Sequence, residues 1–265
     1  MTSDRWADLR PRLISAAVLI VIGAVHIWIG GRLFLGLLSL LIGLMIWELA
    51  RMTGRGGPAW LPVVFGLAAG LMLAVDEGID NSPAWILFPP VALAVALTPR
   101  ILPAATGLLA LAYLAAGHGI FVIRDEAGPA LFLWVLGVVI MSDVAGYFAG
   151  RTLGGPKFWP AISPKKTWSG TIAGWAGAFL VGLGFWLAGH GSWLLPVLSP
   201  FVAFAGQMGD IAESWIKRRA GVKDSSNLIP GHGGVMDRFD ALAGAVLFVV
   251  ALQPLVPLVM LLGAP

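Results

Sequence analysis

The sequence predicts an all-α, polytopic integral membrane protein of about nine transmembrane helices, its N-terminus cytoplasmic and its C-terminus outside. Three observations carry that expectation. Apolar residues make up 58% of the 265 positions and charged residues 12%, with a mean hydropathy of +0.87, far from the composition of soluble domains. Apolar runs near bilayer-crossing length recur along the whole chain. When those runs are counted off alternately, fifteen of the seventeen Lys and Arg fall on one side, as short cytoplasmic loops require.

The first run, 13–31, follows Arg10 and Arg12. It is longer than the apolar core of about 7–15 residues in a signal peptide and is followed at once by another run, so an uncleaved helix is expected. The second, 33–50, carries Glu48 near its end, three residues before Arg51, a spacing that predicts a helix-end ion pair. Runs 59–75, 84–99 and 101–120 complete a first region, 1–125, of five Gly- and Pro-dotted spans without a motif. Arg51, Arg55 and Arg100 lie in its cytoplasmic turns, while Asp76, Glu77, Asp80, Asp125 and Glu126 lie outside. His26, His118 and His190 each stand alone near a helix middle or outer end and are read as hydrogen-bonded packing residues. The second region, 126–265, holds runs 129–150, 171–189, 192–215 and 240–263, with two cytoplasmic loops at 151–170 and 216–239.

Charge is concentrated in that second region. Asp143, Gly146, Tyr147 and Gly150 fall on one helix face, and a carboxylate within a span costs about 2.5–3.5 kcal/mol, which makes it a functional candidate. Gly206, Asp210, Glu213, Ser214 and Lys217 form a second polar stripe. Glu213 and Lys217 make a favourable i, i+4 pair, so Asp210 is the better candidate for a metal or a proton. Loop 151–170 sets Arg151, Lys157, Lys165 and Lys166 beside Ser163, Thr167 and Ser169 with no acid, a surface for phosphate or for anionic lipid. It has no Gly-Lys-Ser/Thr and so is no Walker loop. The last loop places Lys223-Asp224, Gly231-His232-Gly233-Gly234 and Asp237-Arg238-Phe239-Asp240 together. Its glycines let backbone N–H groups approach an anion. Six acids (Asp143, Asp210, Glu213, Asp224, Asp237 and Asp240) thus gather at one membrane face, the composition of an anion-and-metal site. The lack of cysteine excludes thiol catalysis, disulfides and thiolate metal sites. The formal charge of +3 suits loops beside anionic lipid and implies no nucleic-acid partner.

The ordered string Ser214, Lys217-Arg218, Lys223-Asp224, Ser226, Ile229-Pro230, His232-Gly233-Gly234, Asp237-Arg238 and Asp240 resembles the signature of the phosphatidate cytidylyltransferase (CDP-diacylglycerol synthase) family. The likeness extends through Gly209-Asp210-Ile211-Ala212-Glu213-Ser214, Ser163-Pro164-Lys165-Lys166-Thr167-Trp168, and Asp143 with Ala145 and Tyr147, covering about residues 140–240. Ser169 departs from it, since the family often has glutamate there, and no role of that acid carries over. The resemblance implies an enzyme of the bacterial inner membrane, its active site facing the cytoplasm, that condenses CTP with phosphatidate to CDP-diacylglycerol and pyrophosphate. It implies Mg2+, with room for a second metal ion, and is compatible with a homodimer. Phosphatidate's own phosphate oxygen would attack the α-phosphorus of CTP, so no serine or cysteine nucleophile is needed. On this reading Asp210, Asp237, Lys217, Arg218 and His232 are catalytic. Ser163, Lys165, Lys166, Thr167, Lys223, Gly233, Gly234 and Arg238 bind substrate, and Asp143, Asp210, Asp224 and Asp237 bind metal. Two alternatives stand beside it. A CTP-dependent lipid or polyprenol kinase would use similar groups and release CDP, and a cation transporter would carry its carboxylates near the midplane.

Overall fold

The computed structural model describes residues 4–78, 84–98 and 100–262; Asp80, in the predicted outer loop, lies outside them. In chain order the helices are α1 (Asp4–Ile29), α2 (Gly31–Thr53), α3 (Leu61–Gly78), α4 (Phe88–Leu97), α5 (Pro103–Asp125), α6 (Pro129–Thr152), α7 (Trp168–Leu187), α8 (Leu194–Arg219), α9 (Met236–Leu252) and α10 (Leu258–Leu262). A hairpin of β1 (Lys157–Trp159) and β2 (Ser163–Thr167) lies between α6 and α7. Among the described residues six helices, α2, α3, α5, α6, α7 and α8, are long and apolar enough to cross a bilayer. Large apolar side chains such as Trp28, Leu97 and Leu187 are exposed, as lipid-facing positions are. The protein is a helical integral membrane protein.

Each predicted apolar run overlaps a helix, but local chemistry reshapes three segments. Run 84–99 opens as a 3-10 turn, Ala84–Leu87, and α4 begins at Phe88 with proline in its first turn, where the missing N–H would lack a partner anyway. Run 240–263 breaks, because α9 stops at Leu252 before Pro254 and α10 starts only after Pro257; proline cannot donate and clashes with the preceding turn. Loop 151–170 is a hairpin, with Lys157 opposite Thr167, Trp159 opposite Ser163, and the Phe158 ring edge-on to Trp168 at 4.8 Å.

The chain divides into two compact units, Met1–Phe121 with Ile216–Phe239 and Val122–Trp215 with Asp240–Pro265. In the first, α2 and α3 pack backbone to backbone. A Cβ on Gly43 would stand 2.8 Å from Gly66 O, and one on Gly70 would stand 2.8 Å from Ser39 O, the close approach that small residues permit between membrane helices. Gly117 of α5 similarly faces Ile42 and Leu73. Arg100 finishes the end of α2: its guanidinium donates to Ala50 O, and Ile101 N donates to Thr53 O at 2.9 Å. These contacts fix the end of α2 where Glu48 sits.

In the second unit, α6 lies against the start of α7, with Gly170 so close to Gly146 that a Cβ would stand 2.6 Å from its carbonyl oxygen. Buried side chains then link α6, α7 and α8. Trp134 Nε1 donates to Ser199 Oγ at 2.9 Å, Gln207 Nε2 to Ser142 Oγ at 3.1 Å, and Trp175 Nε1 to Gln207 Oε1 at 3.1 Å. The crossing of α8 and α9 is glycine on glycine: a Cβ on Gly209 would meet Asp240 O at 2.5 Å, and one on Gly244 would meet Ala205 O at 2.5 Å. Asp240 is thereby held beside α8.

Candidate active site

In the first unit the site residues are organised by two carboxylates. Glu48 is fully buried. Its oxygens accept from Val235 N at 2.9 Å, Met236 N at 2.6 Å, Ser226 Oγ at 2.5 Å and Ser225 Oγ at 3.2 Å. Val235 and Met236 lie where α9 begins, where N–H groups lack intrahelical partners and the helix dipole favours an anion. Glu48 therefore caps α9 from another helix. The expected ion pair with Arg51 gives way to this arrangement, and Arg51 lies over the Trp47 ring, 5.3 Å from its centre.

Asp237, in the first turn of α9, is the second organiser. Oδ1 accepts from Lys217 Nζ at 2.5 Å, and Oδ2 accepts from Gly234 N at 2.8 Å, Ser225 N at 2.9 Å and Ser225 Oγ at 3.0 Å. Burial alone would raise the Asp237 carboxyl, but the Lys217 hydrogen bond and charge, with the two backbone donors, outweigh it and hold the group below the ordinary carboxylate value. Ser225 Oγ lies within hydrogen-bonding distance of both carboxylates, and its one proton can be given to either.

The glycines of this loop are explained by what surrounds them. A Cβ on Gly234 would stand 2.0 Å from Ser225 Oγ and 2.4 Å from Glu48 Oε1, and Gly233 has φ +85° with Asp237 Oδ2 where its Cβ would go. The Gly234 N–H, expected to face an anion, is already given to Asp237. His232 Nδ1 lies 2.9 Å from Ser15 Oγ. The His232 carbonyl accepts from Arg238 Nε at 3.0 Å and Nη2 at 2.6 Å, so that guanidinium braces the loop. Arg218 Nη1 donates to Val222 O at 3.1 Å, while Lys223 and Asp224 are exposed. A cavity of about 530 Å³, lined by Trp47, Arg51, Ser225, Ser226 and Asn227 among others, opens beside the loop.

The second unit holds the other expected residues. Asp210 and Glu213 of α8 and Asp240 of α9 each offer an oxygen, all within 4.8 Å of one another. Glu213 is fully buried and Asp240 nearly so. Lys166, from β2, is ion-paired with Asp210 Oδ2, and Ser214 Oγ donates to Asp210 Oδ1 at 3.2 Å. Three carboxylates this close repel one another, and hard oxygen donors in such a group suit a divalent cation. Thr167 caps α7 by accepting from Gly170 N at 3.2 Å. Ser163 is half-buried on β2, while Lys165 and Asp143 are exposed.

The structure brings Asp210 together with Glu213 and Asp240, two acids that the sequence offered for the site but that were not expected as ligands. It brings Asp237 to Lys217 rather than to another carboxylate. Glu48 is read from the sequence as half of a helix-end pair with Arg51 rather than as a site residue, because its spacing offers that local partner. The one signal was an acid inside an otherwise apolar run.

The model of a family described as the cytidylyltransferase family matches residues 10–256. A phosphatidate cytidylyltransferase of Brucella suis is 37% identical over 252 residues, 90% of this chain and 91% of its own. One from Pseudomonas aeruginosa is 37% identical over 257 residues, 90% of this chain and 94% of its own. Another, from Staphylococcus haemolyticus, is 36% identical over 141 residues, 52% of this chain and 54% of its own.

Proposed function

The chain belongs to the cytidylyltransferase family, and we propose that it is a nucleotidyltransferase condensing CTP with phosphatidate into CDP-diacylglycerol and pyrophosphate. The observation that carries this is the likeness along 90% of the chain to proteins with that activity in their names. A phosphate oxygen of phosphatidate forms the new bond to the α-phosphorus of CTP, and the bond from that phosphorus to the β-phosphate bridge breaks.

The chain's own residues have to bind two polyanions and offset the charge that collects on the leaving pyrophosphate. Lys165, Lys166, Lys217, Arg218, Lys223 and Arg238 are the proposed phosphate contacts. Ser163, Thr167 and the Gly233 N–H are auxiliary donors, and His232 donates to the leaving group. Asp210, Glu213 and Asp240 would hold magnesium, which when bound supplies positive charge against phosphate oxygens. Asp143 and Asp224, both exposed, are kept as further candidate metal ligands, each within its own unit. Asp237, its oxygens engaged by Lys217, Ser225 and Gly234, keeps Lys217 aimed and the loop closed, rather than acting as a direct ligand.

The same reading sets nine crossings in a bacterial inner membrane. The basic loops face the cytosol, where CTP is found, and a homodimer is compatible with it. The placement of fifteen of seventeen cations on one side supports that orientation. The test is incubation of purified protein with phosphatidate, CTP and Mg2+. Pyrophosphate and a CMP-bearing lipid should form in equal amounts and stop on chelation. Release of CDP with a phosphorylated alcohol would overturn the assignment in favour of a kinase.

A further inference from the structure

A second cluster of ligating groups lies in the first unit, away from the loop just described. Asp76 and Glu77 end α3, and His118 faces them from α5. His118 Nδ1 stands 3.0 Å from Asp76 Oδ2 and is also in contact with Glu77 Oε1. Gly78, one residue on, packs against Leu35 near the start of α2. Glu48 lies thirteen residues further along that helix, or about 20 Å at 1.5 Å per residue. The cluster thus belongs to the opposite end of α2 from the Glu48 loop.

Four features make it more than a surface ion pair. The Asp76 and Glu77 side chains are only 3% and 10% exposed, so two carboxylates share a largely dry site. One imidazole nitrogen carries at most one proton and cannot fully satisfy both carboxylates. Glu77 Oε1 is shielded from solvent and, among the described residues, has no hydrogen bond of good geometry, although it touches His118 Nδ1. The outer oxygen of Asp76 is oriented by Trp85 N at 2.8 Å, the kind of backbone support that metal-ligating carboxylates receive. The three potential ligand atoms lie within 4.8 Å of one another, close enough to surround one ion.

We propose that Asp76, Glu77 and His118 form a structural site for a divalent transition cation, joining the end of α3 to α5 independently of the nucleotidyl-transfer reaction. One imidazole nitrogen with two carboxylate oxygens suits zinc or manganese better than magnesium, which favours oxygen alone.

Zinc is the probe. Full-length protein in detergent, stripped with chelator and dialysed against micromolar Zn2+ in excess Mg2+, should retain one equivalent of zinc, with Mg2+ filling the oxygen-only group around Asp210. Glu77→Gln and His118→Gln should each weaken retention about tenfold or more, and zinc should raise the thermal midpoint of the wild type alone. No retained zinc in the wild type, or equal retention in both variants, overturns the proposal. Should the variants fail to fold, zinc absorption spectroscopy of the wild type decides. A shell of one imidazole nitrogen among oxygens supports the site, and an all-oxygen shell overturns it. Neither outcome depends on CTP turnover, so failure here is separate from failure of the proposed reaction.

Discussion

Glu48 shows how one side chain can set a whole loop. Its four donors come from Ser225, Ser226, Val235 and Met236, so the conformation of the loop and the start of α9 depend on a carboxylate from α2. Glu48→Gln keeps the shape but turns one acceptor into an NH2 group facing N–H and O–H donors. A loss of on the order of 2–3 kcal/mol is expected, read as a lower unfolding midpoint in detergent, with nucleotidyl transfer falling in parallel. Asp237 makes a pH-dependent contribution. Its folded-state pKa is depressed, so the stability it supplies is complete above the ordinary value near ~3.9 and is lost as pH falls through the folded value. The difference in thermal midpoint between wild type and Asp237→Asn should therefore stay constant from about pH 7 to 5 and shrink below about pH 4. A difference that persists unchanged into that acid range would remove Asp237 as the charged anchor of Lys217.

At the scale of elements, the decisive feature is the glycine contact between α8 and α9. Asp210 and Glu213 ride on one helix and Asp240 on the other, so their grouping depends on how closely the backbones approach. Gly209→Ala and Gly244→Ala would each put a methyl group 2.5 Å from a carbonyl oxygen, an overpacking worth about 1–3 kcal/mol. Each should cut activity at least tenfold and weaken the response to divalent cation. Gly184→Ala in α7, with nothing within 4 Å of the new atom, should leave both unchanged. The apolar runs were legible in the sequence because hydropathy is a local property, and so were the acids and cations of residues 140–240. Partner choice was not legible. Lys166 meets Asp210 and Lys217 meets Asp237 across loops, and Asp240 joins Glu213 through the glycine contact of α8 and α9. The spacing of Glu48 and Arg51 pointed to a local pair, yet tertiary donors won because a helix start buried beside that carboxylate supplies several N–H and O–H groups at once. The hairpin of β1 and β2 was likewise hidden inside what reads as a polar loop.

For the whole molecule, orientation is the property to test, and the absence of cysteine makes each introduced thiol unique. Lys157 and Asn227 are exposed in the basic loops, and Glu126 and His190 are exposed in the loops that the charge pattern assigns to the outside. Ser225 is unsuited as a probe because it is buried between Glu48 and Asp237. In intact cells an impermeant thiol reagent should modify Glu126→Cys and His190→Cys and spare Lys157→Cys and Asn227→Cys. Modification of either basic-loop variant would mean that a crossing has been miscounted and that the nucleotide contacts do not face the cytosol.

The link from Glu48 to α9 also bears on how the protein is made. Glu48 precedes its donor Val235 by 187 residues, and at about 5–20 residues per second that separation is roughly 10–40 s of translation. For most of that interval a membrane helix ends in an acid whose partners do not yet exist. A chain that stalls before residue 225 lacks all four of these donors. Once Met236 has been added and the loop folds back, the same carboxylate is sealed. Glu48 thus acquires its full set of donors only after synthesis has passed Met236.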